Sequence, residues 1–160
     1  MLIAENIGGT PEHFIDLMNQ EAALLGATNT HFANPHGLTN ADHYTTAYDL
    51  YLIFNAALKY ETIREIIQMP SYQTVYHSSN SEEKNFDKQT TNLFIRGDYK
   101  APENVTVIGG KTGTTAAAGH CLIIYSKDAA GQGYISVICG AESTPSLYQG
   151  MIDLLCEINK

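Results

Sequence analysis

A chain of 160 residues, 44% hydrophobic and 16% charged, can bury a core as one folded domain and is too apolar for a disordered one. Its formal net charge of -8, with nine scattered Lys and Arg, argues against nucleic-acid binding through a phosphate-neutralising patch. No apolar run approaches the ~18 residues of a membrane span. The opening Met1-Leu-Ile-Ala4 lacks the basic flank of a signal peptide.

Taken in chain order, Leu2 to Asn6 reads as the last turns of a helix that stops at Gly8-Gly9. A helix that starts on the first residue, with no capping residue ahead of it, points to a cut in a longer parent. Thr10-Pro11-Glu12 opens a second helix over 11–25, with Thr10 as N-cap and Pro11 at the first position. Phe14, Leu17, Met18, Leu24 and Leu25 keep helical spacing, and Gly26 suits the residue just past the end. Residues 27–45 have no period and are rich in Asn, Pro and Gly, as in a long functional loop. Thr46 caps a helix to about Lys59, apolar on nearly every face and therefore expected to be buried and central. Glu61 to Gln68 is a shorter helix that ends before Pro70.

The period then changes. Tyr72 to His77 and Asn85 to Thr91 read as two strands around the polar run Ser78 to Lys84. Val105 to Ile108, Gly119 to Tyr125 and Tyr134 to Cys139 are three more, the last two close enough for an antiparallel hairpin. A final helix over 145–158 places Leu147, Met151, Leu154 and Leu155 on one face. The expectation is an α+β domain over residues 1–160, with three main strands and a peripheral hairpin. Cys121, Cys139 and Cys156 lie in apolar surroundings and read as buried small hydrophobes. A Cys121–Cys139 bridge between strands is conceivable but has no support in the sequence, and the cysteines leave the compartment undecided.

The chemistry concentrates at Gly109-Gly110-Lys111-Thr112-Gly113-Thr114-Thr115. A phosphate-binding loop needs glycine where Val105 stands and a helix where a strand follows. On these seven residues alone, a Gly-rich turn between strands competes with a functional reading. That reading is the Lys-Thr-Gly element, which resembles the one in penicillin-recognising serine enzymes. It implies a strand edge that pairs with an extended substrate, with Gly113 allowing close approach and Lys111 supplying positive potential.

A second stretch decides between them. Leu24 to Leu38 includes Asn29-Thr-His-Phe-Ala-Asn-Pro-His-Gly-Leu38, and His43-Tyr-Thr-Thr-Ala47 and Asp49-Leu50 follow it. With Thr91-Asn92-Leu93, Ala118-Gly119-His120-Cys121-Leu122 and Ile138-Cys139-Gly140-Ala141, this resembles the D-alanyl-D-alanine carboxypeptidases, the low-molecular-mass penicillin-binding proteins. The resemblance covers essentially the whole chain. It implies part of the fold shared with serine β-lactamases, and an enzyme that removes the terminal D-alanine of cell-wall stem peptides through an acyl-enzyme. Lys111, Thr112 and Gly113 would be the catalytic triad of residues, the Thr114 N–H an oxyanion donor, and Thr115 a substrate contact. No cofactor is implied, and the six histidines show no metal spacing. The family's Ser-x-x-Lys nucleophile and Ser-x-Asn loop would lie upstream of Met1. The chain by itself is therefore expected to be inactive.

Two literal matches mislead. Ser81-Glu-Glu-Lys84 and Ser78-Ser-Asn80 fall in one polar turn, in the wrong order, where no lysine can activate a serine. His36 reads as a residue that shapes the Pro-His-Gly turn, and His120 receives no role. The family commonly has arginine where Tyr48 stands, and residues 141–155 hold no Lys or Arg for a substrate carboxylate. The implied partners are a stem peptide ending in D-Ala-D-Ala and, for the parent, β-lactams, in an extracytoplasmic setting. A nucleophile-free binding module and a serine β-lactamase relative are the alternatives. An uncovered apolar surface is expected to drive self-association or to change the packing of helix 46–59.

Overall fold

Several helices begin where the sequence supplies capping side chains. The computed structural model describes residues 1–78 and 80–160. Helix α1 spans Leu2–Gly8 and α2 spans Pro11–Leu24, where Thr10 Oγ1 accepts from the His13 N–H at 3.2 Å. Gly26, at φ 83°, turns the chain out of α2, which a Cβ would resist. Thr46 caps α3 (Ala47–Ala57) by accepting from the Asp49 N–H at 3.1 Å, and α4 (Glu61–Gln68) stops short of Pro70. Ser143 and Ser146 form a reciprocal capping box on α6 (Thr144–Cys156), which ends in a 3₁₀ turn over Glu157–Asn159. The sequence reading did not anticipate α5 (Leu93–Arg96), a single turn capped by Asn92.

The strands form two sheets. β1 (Ser71–His77) and β2 (Glu83–Gln89) make a two-stranded ribbon whose residues are all exposed. β3 (Val105–Thr115), β4 (Gly119–Asp128) and β5 (Gly133–Ala141) form an antiparallel sheet in the order β3-β4-β5, so β3 is an edge strand. Sequence propensity ends β3 at Ile108 and leaves the Lys-Thr-Gly element in the following connection. The strand instead runs through it, with Gly110 opposite Ile124, Lys111 opposite Ile123 and Gly113 opposite Cys121. Two glycines make this continuation fit. The register shifts between Val107 and Gly109, where a Cβ on Gly109 would come within 2.6 Å of the Ile67 carbonyl oxygen in α4. A Cβ on Gly110 would lie 2.2 Å from the Ile123 carbonyl oxygen.

The core lies between this sheet and α6. Leu122 and Ile124 of β4 face Leu147, Tyr148, Met151 and Leu155 of α6, with Phe94 of α5 and Val105 of β3 at the edge. Tyr148 stacks on Tyr99 at 4.6 Å between ring centroids, and its hydroxyl accepts from the Leu93 N–H at 2.9 Å. Within α6, Leu154 is 39% exposed, and Tyr148 takes the core position expected of it.

Two further expectations fail. Helix α3 is not buried on every face: only Asp49 and Phe54 are, while Tyr48 is 67% exposed. Its main packing is on β5, which leaves much of its surface exposed. The cysteines are not buried either, since Cys139 and Cys156 are exposed and Cys121 is half-buried. Alternation along β4 and β5 gives Leu122 and Ile138 to the α6 core and turns Cys121 and Cys139 to the opposite face.

Candidate active site

The loop over residues 27–45 is fixed by short polar side chains. Asn19 of α2 clamps Phe32, its Oδ1 accepting from the Phe32 N–H at 2.7 Å and its Nδ2 donating to the Phe32 carbonyl at 2.9 Å. Buried Asp49 accepts from the Asn29 N–H and the Thr30 hydroxyl, both at 2.8 Å, and so ties the loop to the start of α3. Asn34 closes the Asn-Pro-His-Gly-Leu turn, accepting from the Gly37 N–H and donating to the Leu38 carbonyl. His36 Nδ1 accepts from the Leu38 N–H at 3.2 Å, which agrees with a turn-shaping role.

This loop faces β3 across a groove of about 1060 Å³. One wall is Lys111, Thr112, Gly113, Thr114 and Thr115; the other includes His36, His43 and Tyr44. All five residues proposed from the sequence thus come together on one edge strand. A Cβ built on Gly113 meets nothing within 4 Å, in contrast to Gly109 and Gly110. The protein's own packing does not require glycine at 113, whereas an incoming backbone would. Lys111 is exposed, and its ammonium donates to the Thr112 carbonyl. Among the described residues, no carboxylate lies within ion-pair distance of it.

The electrostatics of the groove oppose those of the whole molecule. The chain is acidic, yet the groove lining holds Lys111, Arg96, His36, His43 and His120 and no Asp or Glu among the described residues. Such a wall attracts an anionic group. Arg96, to which the sequence assigned no role, adds a second cation to the groove lining, although Asp98 shares it at 3.0 Å. Thr91 was also given no role, and its hydroxyl meets that of Thr112 at 2.5 Å. His120 Nδ1 lies 3.3 Å from Thr144 Oγ1 and 3.5 Å from Thr114 Oγ1, bridging β3 and α6. The Thr91-Asn92-Leu93 and Ala-Gly-His resemblances could have flagged Thr91 and His120, whereas no sequence signal marked Arg96.

His43 is held below its ordinary 6.5, first by burial and then by repulsion from His31 and His36. The neutral ring is also what the geometry needs, because His43 Nδ1 accepts from the Ala33 N–H at 3.1 Å. The literal Ser-x-x-Lys and Ser-x-Asn matches do not reach the groove. Ser81 has φ 63° in the turn of the exposed ribbon and Lys84 lies in β2 opposite Tyr76; Ser79 lies outside the described residues.

The family model described as D-alanyl-D-alanine carboxypeptidase matches residues 1–143. The chain belongs to that family. It is 38% identical over 143 residues to the D-alanyl-D-alanine carboxypeptidase DacF of Bacillus subtilis, covering 89% of this chain and 34% of that protein. It is 33% identical over 141 residues to DacC of Escherichia coli, covering 88% of this chain and 32% of that one. The crystal structure of the Streptomyces K15 DD-transpeptidase superimposes with a TM-score of 0.80 at 26% identity, over 91% of this chain and 53% of that one. The chain thus spans about a third of the length of these curated relatives and about half of this solved structure. The α+β arrangement is that of the DD-peptidases with a β-lactamase-like fold.

Proposed function

We propose that this chain forms the Lys-Thr-Gly side of the active site of a serine-type D-Ala-D-Ala carboxypeptidase that acts in peptidoglycan maturation. One observation carries the reading: the motif lies on the unpaired edge of β3 with open space over Gly113 and a groove wall free of carboxylates among the described residues. An extended stem peptide ending in D-Ala-D-Ala adds to that edge as a further strand, its backbone passing close over Gly113. Lys111, with Arg96 nearby, draws in the terminal carboxylate and takes over the work of the basic residue absent from 141–155. Thr112 is steadied by Thr91, the Thr114 N–H stabilises the oxyanion of the tetrahedral intermediate, and Thr115 contacts substrate.

The nucleophilic serine, its lysine base and the second hydroxyl come from a separate segment of the same catalytic domain, to which residues 1–160 contribute the C-terminal part as one unit. The complete enzyme works outside the cytoplasm and is acylated by β-lactams. No described helix is long and apolar enough to cross a membrane. The chain alone does not hydrolyse substrate. Incubated with a fluorescent penicillin and resolved under denaturing conditions, it carries no label; a stable covalent adduct overturns this account.

A nucleophile-free binding module is the second reading, favoured by a groove that these residues build unaided. Tight, saturable binding of an N-acylated D-Ala-D-Ala peptide by the isolated chain supports that module, and weak binding supports the catalytic half.

A further inference from the structure

Cys121 and Cys139 stand on neighbouring strands at the floor of the groove. Across β4 and β5, His120 pairs with Ala141 and Leu122 with Ile138, so the register slips by one residue between these pairs. Cys121 is thereby opposed by Cys139 and Gly140. Both thiols point away from the α6 core, because their neighbours Leu122 and Ile138 point into it, and both line the groove. Facing residues on adjacent antiparallel strands have Cα atoms roughly 4.5–5.5 Å apart, inside the roughly 4.4–6.8 Å that a disulfide spans. On its other side Cys121 pairs with Gly113. Cys156, the remaining free thiol, sits in the last turn of α6 and lines neither the groove nor this strand pair.

We propose that Cys121 and Cys139 form a reversible dithiol–disulfide couple, a thiol-exchange site built into the groove floor directly behind Gly113. The co-reactant is a small disulfide. The thiolate of one cysteine attacks a sulfur of the small disulfide, breaks its S–S bond and expels one thiolate, leaving a mixed disulfide. The second cysteine, after losing its proton, attacks the protein sulfur of that mixed disulfide and expels the other thiolate. The two expelled thiolates take up the two protons, so two protein thiols are oxidised and one small disulfide is reduced to two thiols. Partial desolvation in the groove, and then the neighbouring Cys121 thiol, raise the pKa of the otherwise exposed Cys139 above its ordinary 9.0, so exchange is faster in mildly alkaline solution. The bridge joins β4 to β5 where their register slips and stiffens the strand behind the Lys-Thr-Gly edge. The inference stands on the placement of two thiols and is independent of the catalytic reading.

The test uses the full chain carrying Cys156→Ser, treated with oxidised glutathione and analysed by intact mass and non-reducing peptide mapping. The expected product is a monomer that has lost both thiols, carries no glutathione, and yields one peptide cross-linked between Cys121 and Cys139. A reductant restores both thiols. With Cys121→Ser added, the remaining Cys139 is trapped as a glutathione mixed disulfide, because no resolving thiol is present. Peptide mapping of the unsubstituted chain gives the same cross-link and guards against a folding defect in the variants. Persistent mixed disulfides on the two-cysteine chain, unreacted thiols or covalent dimers overturn the proposal. Hydrogen exchange at the amides of 119–123 slows on oxidation if the bridge stiffens the strand, and unchanged exchange rejects that part.

Discussion

Met151 and Leu155 of α6 have no exposed surface, whereas Leu2, Ile3 and Leu24 of the α1–α2 pair are 76%, 71% and 82% exposed. Both regions are helical and both are rich in large aliphatic side chains. They differ in what lies opposite. Helix α6 packs on β4 and β5, while α1 and α2 pack on each other around an apolar hollow of about 470 Å³ bordered by Ile7, Phe14, Leu17, Met18 and Leu25. Between the sheet and α6, Leu122, Ile124, Met151 and Leu155 are all buried. The α1–α2 face is only partly covered, by Phe32 and Ile53 at the rim of the hollow, and leaves Leu2, Ile3 and Leu24 exposed; in the reading proposed above the rest of the catalytic domain covers it.

The sharpest way to break this contrast is to truncate one side chain from each region. Met151→Ala should cost about 2–5 kcal/mol by urea unfolding, through lost burial and the cavity left behind. Leu24→Gln should stay within about 0.5 kcal/mol, as a change on an exposed face does. Equal losses at the two sites would show that the α1–α2 face is packed in solution and would end the comparison.

The glycines of β3 offer the same contrast within one strand. Gly110→Ala forces a methyl group against the Ile123 carbonyl and should cost roughly 1–3 kcal/mol. Gly113→Ala meets open space and should leave stability unchanged or slightly raised. A loss at Gly113 as large as that at Gly110 would mean that its glycine serves packing and not an incoming ligand.

We also propose that the uncovered α1–α2 face associates with itself. Light scattering on the unsubstituted chain should show concentration-dependent dimers or larger species, which Ile3→Lys with Leu24→Lys removes by placing charge on that face. A monomer at high concentration that binds little apolar dye counts against it.

The smallest expected effect is a pH dependence of the loop facing β3. The His43 pKa in the folded chain lies below its unfolded value of 6.5, so the unfolded chain binds more protons as acid is added. The contribution of this histidine is therefore present above pH 6.5 and is lost as the pH falls through the lower folded value. Protonation also removes the acceptor for the Ala33 N–H. Thermal unfolding between pH 7.5 and 5.5 should show a modest loss of stability that His43→Gln diminishes; an undiminished loss in that variant assigns it to other groups.

The sequence announced some parts of this structure and was silent on others, for physical reasons. Thr10 and Thr46 each start a helix as expected, because a cap acts on the next three residues and its signal is local. The run of β3 through Gly109, Gly110 and Gly113 was not legible, because strand propensity penalises glycine while the ladder to β4 and the contact with Ile67 require it. All five proposed site residues lie together on the groove wall, since a single strand presents them. Arg96, Thr91 and His120 reach that groove from α5, the connection before it and β4, and such convergence leaves no period in a chain of letters. Apolar content predicted a buried α3 and buried cysteines. Burial depends on what lies opposite, which composition does not report.

We propose above that the Lys111–Thr115 edge receives an extended peptide ending in D-Ala-D-Ala. A titration of the ¹⁵N-labelled chain with an N-acylated D-Ala-D-Ala peptide at millimolar concentration, followed by amide chemical shifts, tests this most directly. The account predicts shifts confined to residues 111–115 and the facing 36–44 loop, absent in a folded Gly113→Val variant. Shifts centred on the α1–α2 hollow, or shifts that survive unchanged in Gly113→Val, would contradict it.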